Sequence, residues 1–489
     1  MQIKSTHCPS NTLHFTKLER RNVVGNFDGG RMSSDGGGLL LREVEKQGNI
    51  IGRLAECFED HRDPARVEHS VKRLVAQRVF GLCLGYEDLN DHDSLRDDPA
   101  LALALECSDI TGQDRVRQRD KGHPLASSKT LNRLELSSEE TAAEDRYKRV
   151  AADFEEMDAL LVNLCMDSFP APPERIILDL DATDDVLHGN QEGRFYHGYY
   201  HNYCYLPLYI VCGNHVLVAR LRRSNIDASE GSKQELARVV AQIRERWPEV
   251  EIWIRADSGF CRDAIMAWCE EHDVIYILGL GRNKRLQKII APDMEASQKQ
   301  CEATGKASRR FCSFSYKTLK SWSCQRRVVA KAEYLPGRRG YNARFVVTNL
   351  AEEDYDARPV YEDLYCARGE MENRIKEQQL ELFADRTSTS EMRSNQLRLY
   401  FSAFAHAIMA RIKEQGLHGT EMASAQCGTI RTRLFKIAAV VRVSVRRCKL
   451  ALSSTYPWQP LFERVLANLR AAVPAIPELV HPPPAHTIA

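Results

Sequence analysis

The sequence lacks the features that would place it in a membrane, outside the cell or around a structural zinc ion. No run of eighteen apolar residues and no basic stretch followed by an apolar leader occurs in its 489 residues. Its 15 cysteines are scattered and form no Cys-x-x-Cys pair, so zinc-binding spacing is missing and reduced thiols are expected. We therefore expect a cytoplasmic protein with no membrane partner.

The chain also lacks a large net charge, since its formal net charge at pH 7 is only +1. That average conceals a separation, because lysine and arginine concentrate in three stretches, at 282–288, 308–320 and 431–449. Acidic residues concentrate elsewhere, for example at 87–98. Basic stripes on a neutral chain can still follow a phosphate backbone, so the composition does not exclude nucleic acid as a partner.

The apolar pattern changes from helical to strand-like near residue 174. A short apolar run at 175–181 predicts a buried strand, and two runs around Gly213-Asn214 predict a hairpin. Strand and helix patterns then alternate as far as residue 280, and helical patterns return at 358–416. This order predicts an α+β multidomain fold with a helical N-terminal domain. Its ribonuclease-H-like core would be a mixed sheet flanked by helices and interrupted by a β-rich insertion.

We divide the chain into six predicted parts. They are an irregular arm (1–35), a helical DNA-binding domain (36–165), the first part of the core (166–280), the β-rich insertion (281–357), the second part of the core with basic C-terminal helices (358–450), and a tail (451–489).

Carboxylates stand at the ends of two predicted strands. In "LDLDATDD", Asp179 and Asp181 alternate with apolar residues and so share one face of their strand. In "IWIRADSGF", Asp257 ends the next strand of this kind and precedes a helical pattern. Such acids can simply cap the turns that follow them. They also stand where α/β sheets place ligands.

A third acid lies in "YCARGEMENRIKEQQ", a helical pattern at 365–379. Its polar residues step by three or four positions and therefore share one helix face. They are Tyr365, Arg368, Glu372, Lys376 and Gln379. Taken alone, this pattern is equally typical of an exposed helix surface with salt bridges.

Together, the three stretches indicate a site in which three carboxylates meet at one sheet edge. Clustered carboxylates repel one another unless cations lie between them. Oxygen ligands suit Mg²⁺, and two such ions about 3.5–4 Å apart can activate a nucleophile and stabilise a leaving oxygen.

"DLDAT", "ADSGF" and the Tyr-x-x-Arg-x-x-x-Glu helix, in this order, resemble the DDE transposases of bacterial insertion sequences. More narrowly, the chain is similar to insertion-sequence family thirteen-eighty, in the branch with a Tyr-Arg-Glu-Lys signature. The likeness also covers "GYEDLNDHDSLRDDPAL" and "RLFKIAAVVRVSVRR" and so extends over most of the chain. It implies a transposase that binds terminal inverted repeats and catalyses metal-dependent strand cleavage and strand transfer.

The resemblance assigns roles residue by residue. Asp181, Asp257 and Glu372 would be the catalytic residues and the ligands of two Mg²⁺ ions, for which Mn²⁺ could substitute. Tyr365 and Arg368 match the signature residues that flank the glutamate.

One position departs from the branch pattern. Gln379 stands where the signature has lysine, seven residues after the glutamate. Lys376, one turn earlier on the same face, could reach the same phosphate and is taken as a supporting residue.

The resemblance also implies double-stranded DNA as the partner, a homodimer in the synaptic complex and a nucleoid-associated location. The insertion would contact the transposon end through basic residues interleaved with aromatics. We expect about half of these aromatics to be buried in a small β-core and the others to stack on bases. The expected DNA contacts are Arg309, Arg310, Lys317 and Lys320, joined by Arg446 and Arg447 near the C-terminus.

Two other functions remain open from the sequence. "DLDAT" also fits the Asp-x-Asp-x-Thr pattern of haloacid-dehalogenase-like phosphatases, with Asp179 as nucleophile and Asp181 as acid/base. A catalytically inactive DNA-binding relative of a transposase is the second alternative.

Overall fold

The computed structural model describes residues 12–137, 149–337 and 340–472. Its strands are β1 (Leu13–Leu18), β2 (Arg21–Gly25), β3 (Met32–Ser33), β4 (Phe58–Asp60), β5 (Val150–Ala152), β6 (Arg175–Ala182), β7 (Asp185–Val186), β8 (Phe195–His197), β9 (Asn202–Tyr205), β10 (Leu208–Cys212), β11 (His215–Arg220), β12 (Glu251–Ala256), β13 (Val274–Leu280), β14 (Ser308–Tyr316), β15 (Arg326–Leu335), β16 (Gly340–Thr348), β17 (Ala439–Ser444) and β18 (Arg447–Leu452).

Its helices are α1 (Leu39–Gly48), α2 (Ile50–Glu56), α3 (Val71–Leu84), α4 (His92–Leu95), α5 (Pro99–Ala104), α6 (Ser128–Glu135), α7 (Phe154–Met166), α8 (Ser232–Arg246), α9 (Asp263–Glu271), α10 (Lys284–Ile289), α11 (Ala291–Thr304), α12 (Ala357–Pro359), α13 (Gly369–Lys376), α14 (Met392–Arg411), α15 (Cys427–Ile430) and α16 (Gln459–Ala471). Among the described residues, no helix is both long enough and apolar enough to cross a membrane.

The predicted strand at 175–181 is β6, near the middle of an eight-stranded mixed sheet. The strand order is β11-β10-β6-β12-β13-β16-β15-β14. β6, β12 and β13 run parallel, and all other neighbours are antiparallel. The predicted hairpin at Gly213-Asn214 is confirmed as β10 and β11. The chain therefore folds as a mixed α/β protein around one large mixed sheet.

Helices cover both faces of this sheet. On one face, Ile176, Leu178 and Leu180 of β6 pack with apolar residues of α8 and α9. The opposite face of β12 and β13 packs under Val360 and Tyr361. Because side chains alternate along a strand, Asp179 and Asp181 point to this second face.

The helical segment on the second face is continuous from 357 to 381, and we call it the site helix. It consists of α12, a π-helical stretch, one 3₁₀ turn, α13 and a second π-helical stretch. The Arg255 guanidinium donates to the Leu364 carbonyl at 2.8 Å. Near the other end, the buried Glu377 carboxylate pairs with the Lys413 ammonium at 2.6 Å. These two contacts fix the site helix against the sheet and the helices behind it.

The expected insertion continues the main sheet and does not form a separate β-domain. β16 pairs with β13, and β15 and β14 follow in the same sheet. The predicted strands are present, but their hydrogen bonds and apolar side chains belong to the central sheet.

The N-terminal helices share their core with the C-terminal half of the chain. Apolar residues of α1, α3 and α7 pack in one cluster with α14, α16 and part of β10. Two short strands, β4 and β5, pair within the segment expected to be wholly helical. The domain boundaries remain a prediction.

Three local expectations were wrong. The arm expected to be irregular contains the hairpin of β1 and β2, whose residues are nearly all exposed. The basic segment expected to be helical ends as the antiparallel pair β17 and β18. The expected tail contains α16, which buries Leu461, Val465 and Leu469. The Pro-rich end of that tail, 473–489, lies outside the described residues.

We predict that Arg255→Met lowers the free energy of unfolding by about 3–5 kcal/mol. It would leave the buried Asp179 carboxylate without the two bonds of 2.6 and 2.7 Å that Arg255 donates. The control is Arg175→Met, which breaks the exposed 2.6 Å pair of Arg175 with Glu251 between the same two strands and should cost about 1 kcal/mol. Urea denaturation measures both losses, and equal losses would contradict the assigned role of the buried pair.

Candidate active site

Asp181 lies near the carboxyl end of β6, on the face covered by the site helix. Its Oδ1 accepts a hydrogen bond from the backbone N–H of Ala182 at 2.9 Å. Its side chain is 20% exposed. The carboxylate is therefore held at the edge of the sheet, partly shielded from solvent.

Asp257 directly follows β12, the parallel neighbour of β6. Its Oδ1 accepts from the backbone N–H of Gly259 at 2.8 Å and caps one 3₁₀ turn. Asp257 therefore caps the turn that follows its strand, as the sequence had allowed. This hydrogen bond fixes the rotamer of a carboxylate that still faces the same sheet edge as Asp181, because parallel strands end together.

Glu372 reaches this edge from α13, and Arg368 lies between it and Asp181. The Arg368 guanidinium is 3.3 Å from the Asp181 carboxylate and 3.7 Å from the Glu372 carboxylate. The Glu372 side chain is 52% exposed, so it is the most accessible of these groups. Arg368 supplies positive charge where two acids approach each other.

All three predicted acids line one cavity of about 560 Å³. Lys376 and Gln379 line it as well, whereas Tyr365 and Arg368 do not. The remaining wall is formed by Ala182, Thr183, His197, Tyr199, Tyr200, Leu206, Ala228, Ser258, Gly259, Phe260 and Ile375. Five of the residues singled out in the sequence therefore line the same cavity.

Burial raises the pKa of the Asp181 carboxyl to about 6. The Asp257 carboxylate adds to this increase, while the Arg368 guanidinium opposes it. Desolvation and like charge both disfavour a second carboxylate anion here. The site therefore favours an additional positive charge near Asp181.

The donor atoms around the cavity suit a hard divalent cation. Carboxylate oxygens are the ligands that Mg²⁺ prefers, and the exposed Glu372 can rotate towards the two strand-end acids. Within the described ranges, however, no three His, Cys, Asp or Glu side chains are close enough to form a preassembled metal centre. Arg368 stands between two of the acids and would have to shift for metal ions to bridge them.

Tyr365 packs close behind Asp257, and Gly279 of β13 makes this packing possible. A Cβ atom at position 279 would lie 2.6 Å from the Tyr365 hydroxyl and 2.9 Å from the Ser258 backbone nitrogen. Only glycine fits without displacing one of them. Gly279 was not among the predicted site residues, although a lone glycine inside a strand pattern indicates such a close approach.

Gln379 occupies the position of the signature lysine, and its side chain contacts the buried carboxyl of Asp185. Its side-chain amide donates to the Asp185 carboxyl at 2.7 Å and to the Asp184 carbonyl at 3.3 Å. Burial raises the pKa of Asp185 to about 8, so this carboxyl is largely protonated at neutral pH. Gln379 thus ties the site helix to the turn that follows β6, and Lys376 is the exposed cation on the cavity wall.

The predicted DNA contacts on β14 point in opposite directions. Arg309 and Arg310 are adjacent on the strand, so their side chains lie on opposite faces of the sheet. Arg309 pairs with Glu362 at 2.8 Å and with Glu333 at 3.3 Å, which binds β14 to the site helix. Arg310 is exposed. Arg309 is exposed as well, but carboxylates of the protein hold its guanidinium.

The loop after β14 carries the other two predicted contacts. Lys317 and Lys320 are exposed, and the Lys317 ammonium donates to the Ser323 carbonyl at 2.8 Å. About half of the nearby aromatics were expected to be buried, and two of the four are buried. Tyr316 and Trp322 are buried against each other, and their ring centroids are 5.7 Å apart. Phe311 and Phe314 are half-buried against the two cores beside the sheet.

Arg446 and Arg447 lie at the tip of the β17–β18 hairpin. Both are exposed, and Arg442 and Lys449 extend the basic surface along the two strands. The exposed hairpin can thus present these cations to a phosphate backbone.

A second cavity, of about 710 Å³, was missed and is strongly basic. Its wall contains seven arginines and one lysine against three acids. The basic residues are Arg62, Arg66, Arg96, Arg117, Arg119, Lys129, Arg133 and Arg149. His69 is buried in this wall, and burial together with nearby arginines lowers its pKa to about 3. The run "RVRQRDK" at 115–121 was the sequence signal that could have found it.

Comparison with known proteins shows a family model that matches most of the chain. A family model described as "Transposase DDE domain group 1" matches residues 15–474. No curated protein matches the chain.

The solved structures that match the chain include two complexes with nucleic acid. One is a piggyBac transposase synaptic complex with hairpin DNA, at 10% identity and a TM-score of 0.40, covering 81% of this chain and 79% of that one. The other is the Marinitoga piezophila Argonaute in complex with guide RNA and target DNA, at 11% identity and a TM-score of 0.19, covering 40% of this chain and 26% of that one. Both scores are too low to support an argument about a shared fold.

We predict that Asp181→Asn stabilises the metal-free protein at neutral pH. A folded-state pKa near 6, against 3.8 for the unfolded chain, means that ionisation of Asp181 opposes folding increasingly as pH rises from about 4 to 6. The variant should be more stable by about 1–3 kcal/mol at pH 8, and the difference should vanish below pH ~4. Denaturation in EDTA measures it, with the exposed Glu370→Gln as control. A variant no more stable than the parent at pH 8 would contradict this account.

We predict that Gly279→Ala destabilises the protein by about 1–3 kcal/mol through overpacking against the Tyr365 hydroxyl. Removing that hydroxyl in Gly279→Ala/Tyr365→Phe should recover part of the loss. A double-mutant cycle in urea should therefore give a coupling energy of about 1 kcal/mol. Additive effects would show that the two groups do not meet.

Proposed function

The chain belongs to the transposase DDE domain family, group 1, and we propose that it mobilises a bacterial insertion sequence, of family thirteen-eighty, by cutting and rejoining DNA. It would bind the terminal inverted repeats of the element, cleave the strands at its ends and transfer them to a target. The observation that carries this proposal is the shared cavity of Asp181, Asp257 and Glu372 in a chain that the family model matches almost throughout.

The residues around the cavity have separable tasks in this proposal. Asp181 and Asp257 present carboxylates whose positions are fixed by backbone N–H groups. Glu372 closes the site from the helix side, and Arg368 limits the repulsion between acids before DNA arrives. Lys376 at the cavity wall would hold a phosphate oxygen of the substrate.

Two Mg²⁺ ions, held by the three carboxylates and replaceable by Mn²⁺, would supply Lewis-acid activation of the attacking oxygen and stabilise the leaving one. The pKa increase at Asp181 supports this assignment, because the buried carboxylate lacks sufficient positive charge in the protein alone.

The order of strands supports a ribonuclease-H-like core. β11, β10 and β6 form an antiparallel group, and β12 and β13 continue it in parallel with β6. The first two acids lie at the ends of β6 and β12, where the two parallel strands terminate side by side. In this assignment, β14 to β16 extend the core sheet.

Double-stranded DNA would be held by basic surfaces outside the acidic cavity. The β17–β18 hairpin with Arg446 and Arg447, the exposed Arg310, and the loop with Lys317 and Lys320 offer cations to phosphates. The basic cavity in the N-terminal half adds a concave site for the same backbone. Arg309 has a different task, because its two carboxylate partners already hold it on the protein.

We also propose that a homodimer holds the two transposon ends. The β1–β2 hairpin supports this, because an isolated two-stranded hairpin is marginally stable in water and gains stability by packing. Its exposed apolar residues, among them Phe15 at 58% and Leu18 at 64%, offer a contact surface to a second copy.

The phosphatase alternative requires Asp179 to attack a phosphorus atom. Both oxygens of Asp179 accept bonds from Arg255, and Asp179 is buried outside the cavity lining. This geometry favours a structural role. The remaining alternative, an inactive DNA-binding relative, differs from the transposase only in cleavage.

We predict that alanine at Asp181, Asp257 or Glu372 reduces strand cleavage about 10³-fold or more. The three residues would act as one unit, so the triple variant should be little worse than any single one. Plasmid excision and cleavage with Mg²⁺ on DNA carrying the element's ends measure the effect, and gel shifts should show retained binding.

The matched control is Glu370→Ala, which removes an exposed carboxylate of the same helix that does not line the cavity. Normal cleavage by Glu372→Ala together with loss in Glu370→Ala would overturn the assigned helix face. If the wild-type protein binds the ends and never cleaves them, the protein is the catalytically inactive DNA-binding relative of a transposase.

We predict that affinity for the terminal repeat falls steeply with salt, because phosphate contacts release counterions. Arg446→Ala/Arg447→Ala should weaken binding and reduce the slope of log K against log salt by about 2, since each lost contact removes roughly one unit. Lys233→Ala, which removes an exposed cation of α8, should change neither. An unchanged slope in the double variant would show that Arg446 and Arg447 do not contact DNA phosphates.

A further inference from the structure

A loop of exposed aromatic residues stands beside the acidic cavity. This aromatic loop, residues 194–203, comprises β8, the start of β9 and the turn between them. Tyr199 is 81% exposed, Tyr196 is 55% exposed and Tyr203 is 45% exposed. Large aromatic side chains exposed together have a cost in water and typically mark a binding surface.

The aromatic side chains of the loop support one another as a platform. The rings of Tyr196 and Tyr203 meet edge to face with centroids 5.5 Å apart, and the Arg194 guanidinium lies 3.8 Å from the centroid of the Tyr203 ring. Tyr199 meets Tyr200 edge to face at 5.0 Å. These contacts order the rings and leave much of their surface to solvent.

One side of the loop forms part of the cavity wall, whereas Tyr196 and Tyr203, which pair across β8 and β9, lie on the opposite side of the hairpin. His197, Tyr199 and Tyr200 line that cavity together with Asp181. The Tyr200 hydroxyl donates to the Ala182 carbonyl at 3.4 Å, which ties the loop to the residue next to Asp181. Burial and nearby carboxylates raise the pKa of Tyr200 to about 12, so this hydroxyl stays protonated and can donate.

The chemistry of the platform selects a flat, uncharged group. The tyrosines offer a phosphate no cation, whereas any nucleobase can stack on a tyrosine ring, because every base has a π-face. Bases of an intact duplex cover one another and cannot reach such a platform. A base must leave the stack to bind there.

We propose that the aromatic loop binds unpaired nucleobases beside the phosphate that enters the acidic cavity. This inference rests on the proposed function, since it takes DNA as the molecule that reaches the cavity. The loop would hold the strand next to the reacting phosphate by stacking, while the basic surfaces hold the duplex by charge.

The test compares single-stranded and duplex DNA binding by the full-length protein in EDTA, where cleavage is absent. The probes are a labelled twelve-nucleotide oligothymidylate and a blunt duplex of the same length, followed by fluorescence anisotropy. Tyr196→Ala/Tyr199→Ala should bind the single strand on the order of 10-fold more weakly and the duplex with nearly unchanged affinity. Tyr196→Phe/Tyr199→Phe, which keeps both rings, should bind like the parent.

The control Tyr341→Ala removes a tyrosine that is 55% exposed on β16, outside the loop, and should leave both affinities unchanged. A single strand carrying 2-aminopurine should lose fluorescence on the parent protein and not on the double alanine variant. Unchanged single-strand affinity in that variant, or an equal loss for both probes, would overturn the inference. This binding test requires no cleavage. A loop that does not bind bases would therefore be detected separately from a protein that does not cleave DNA.

Discussion

The arrangement of the site depends on the repulsion between carboxylates that the fold gathers at one sheet edge. Asp181 and Asp257 end adjacent parallel strands, and Glu372 approaches them from a helix. In the protein alone, the Arg368 guanidinium between Asp181 and Glu372 is the nearby compensating charge. The compensation is incomplete, because burial still raises the pKa of Asp181 to about 6. An edge built in this way has a strong electrostatic preference for added cations.

The rest of the sheet serves to hold that edge rigid. The buried pair of Asp179 and Arg255 joins β6 to β12 directly below the acids, and Arg255 also holds the site helix through the Leu364 carbonyl. β14 to β16 widen the sheet on the side of β13, and Arg309 ties β14 to the same helix. Arg309, which the sequence suggests as a DNA contact, is thus a residue that positions the site helix.

The sequence was informative where local chemistry decides local structure. Gly213-Asn214 predicts a two-residue turn, and the hairpin is there; acids that alternate with apolar residues in β6 lie on one face. It was misleading at 439–452, where the β-branched Val440, Val441 and Val443 favour a strand although helices were predicted for this basic segment. It could not show the partners of Arg309, because Glu333 faces it only through the register of β14 with β15.

The central claim is that Asp181, Asp257 and Glu372 jointly hold divalent metal ions. The most direct test is a crystal structure of the protein with Mn²⁺ and DNA, in which anomalous scattering locates the ions. We expect two anomalous peaks in the acidic cavity, each in contact with at least one of the three carboxylates, with Arg368 displaced from between Asp181 and Glu372. Ions bound elsewhere, or a cavity without ions while Arg368 keeps its contacts, would contradict it.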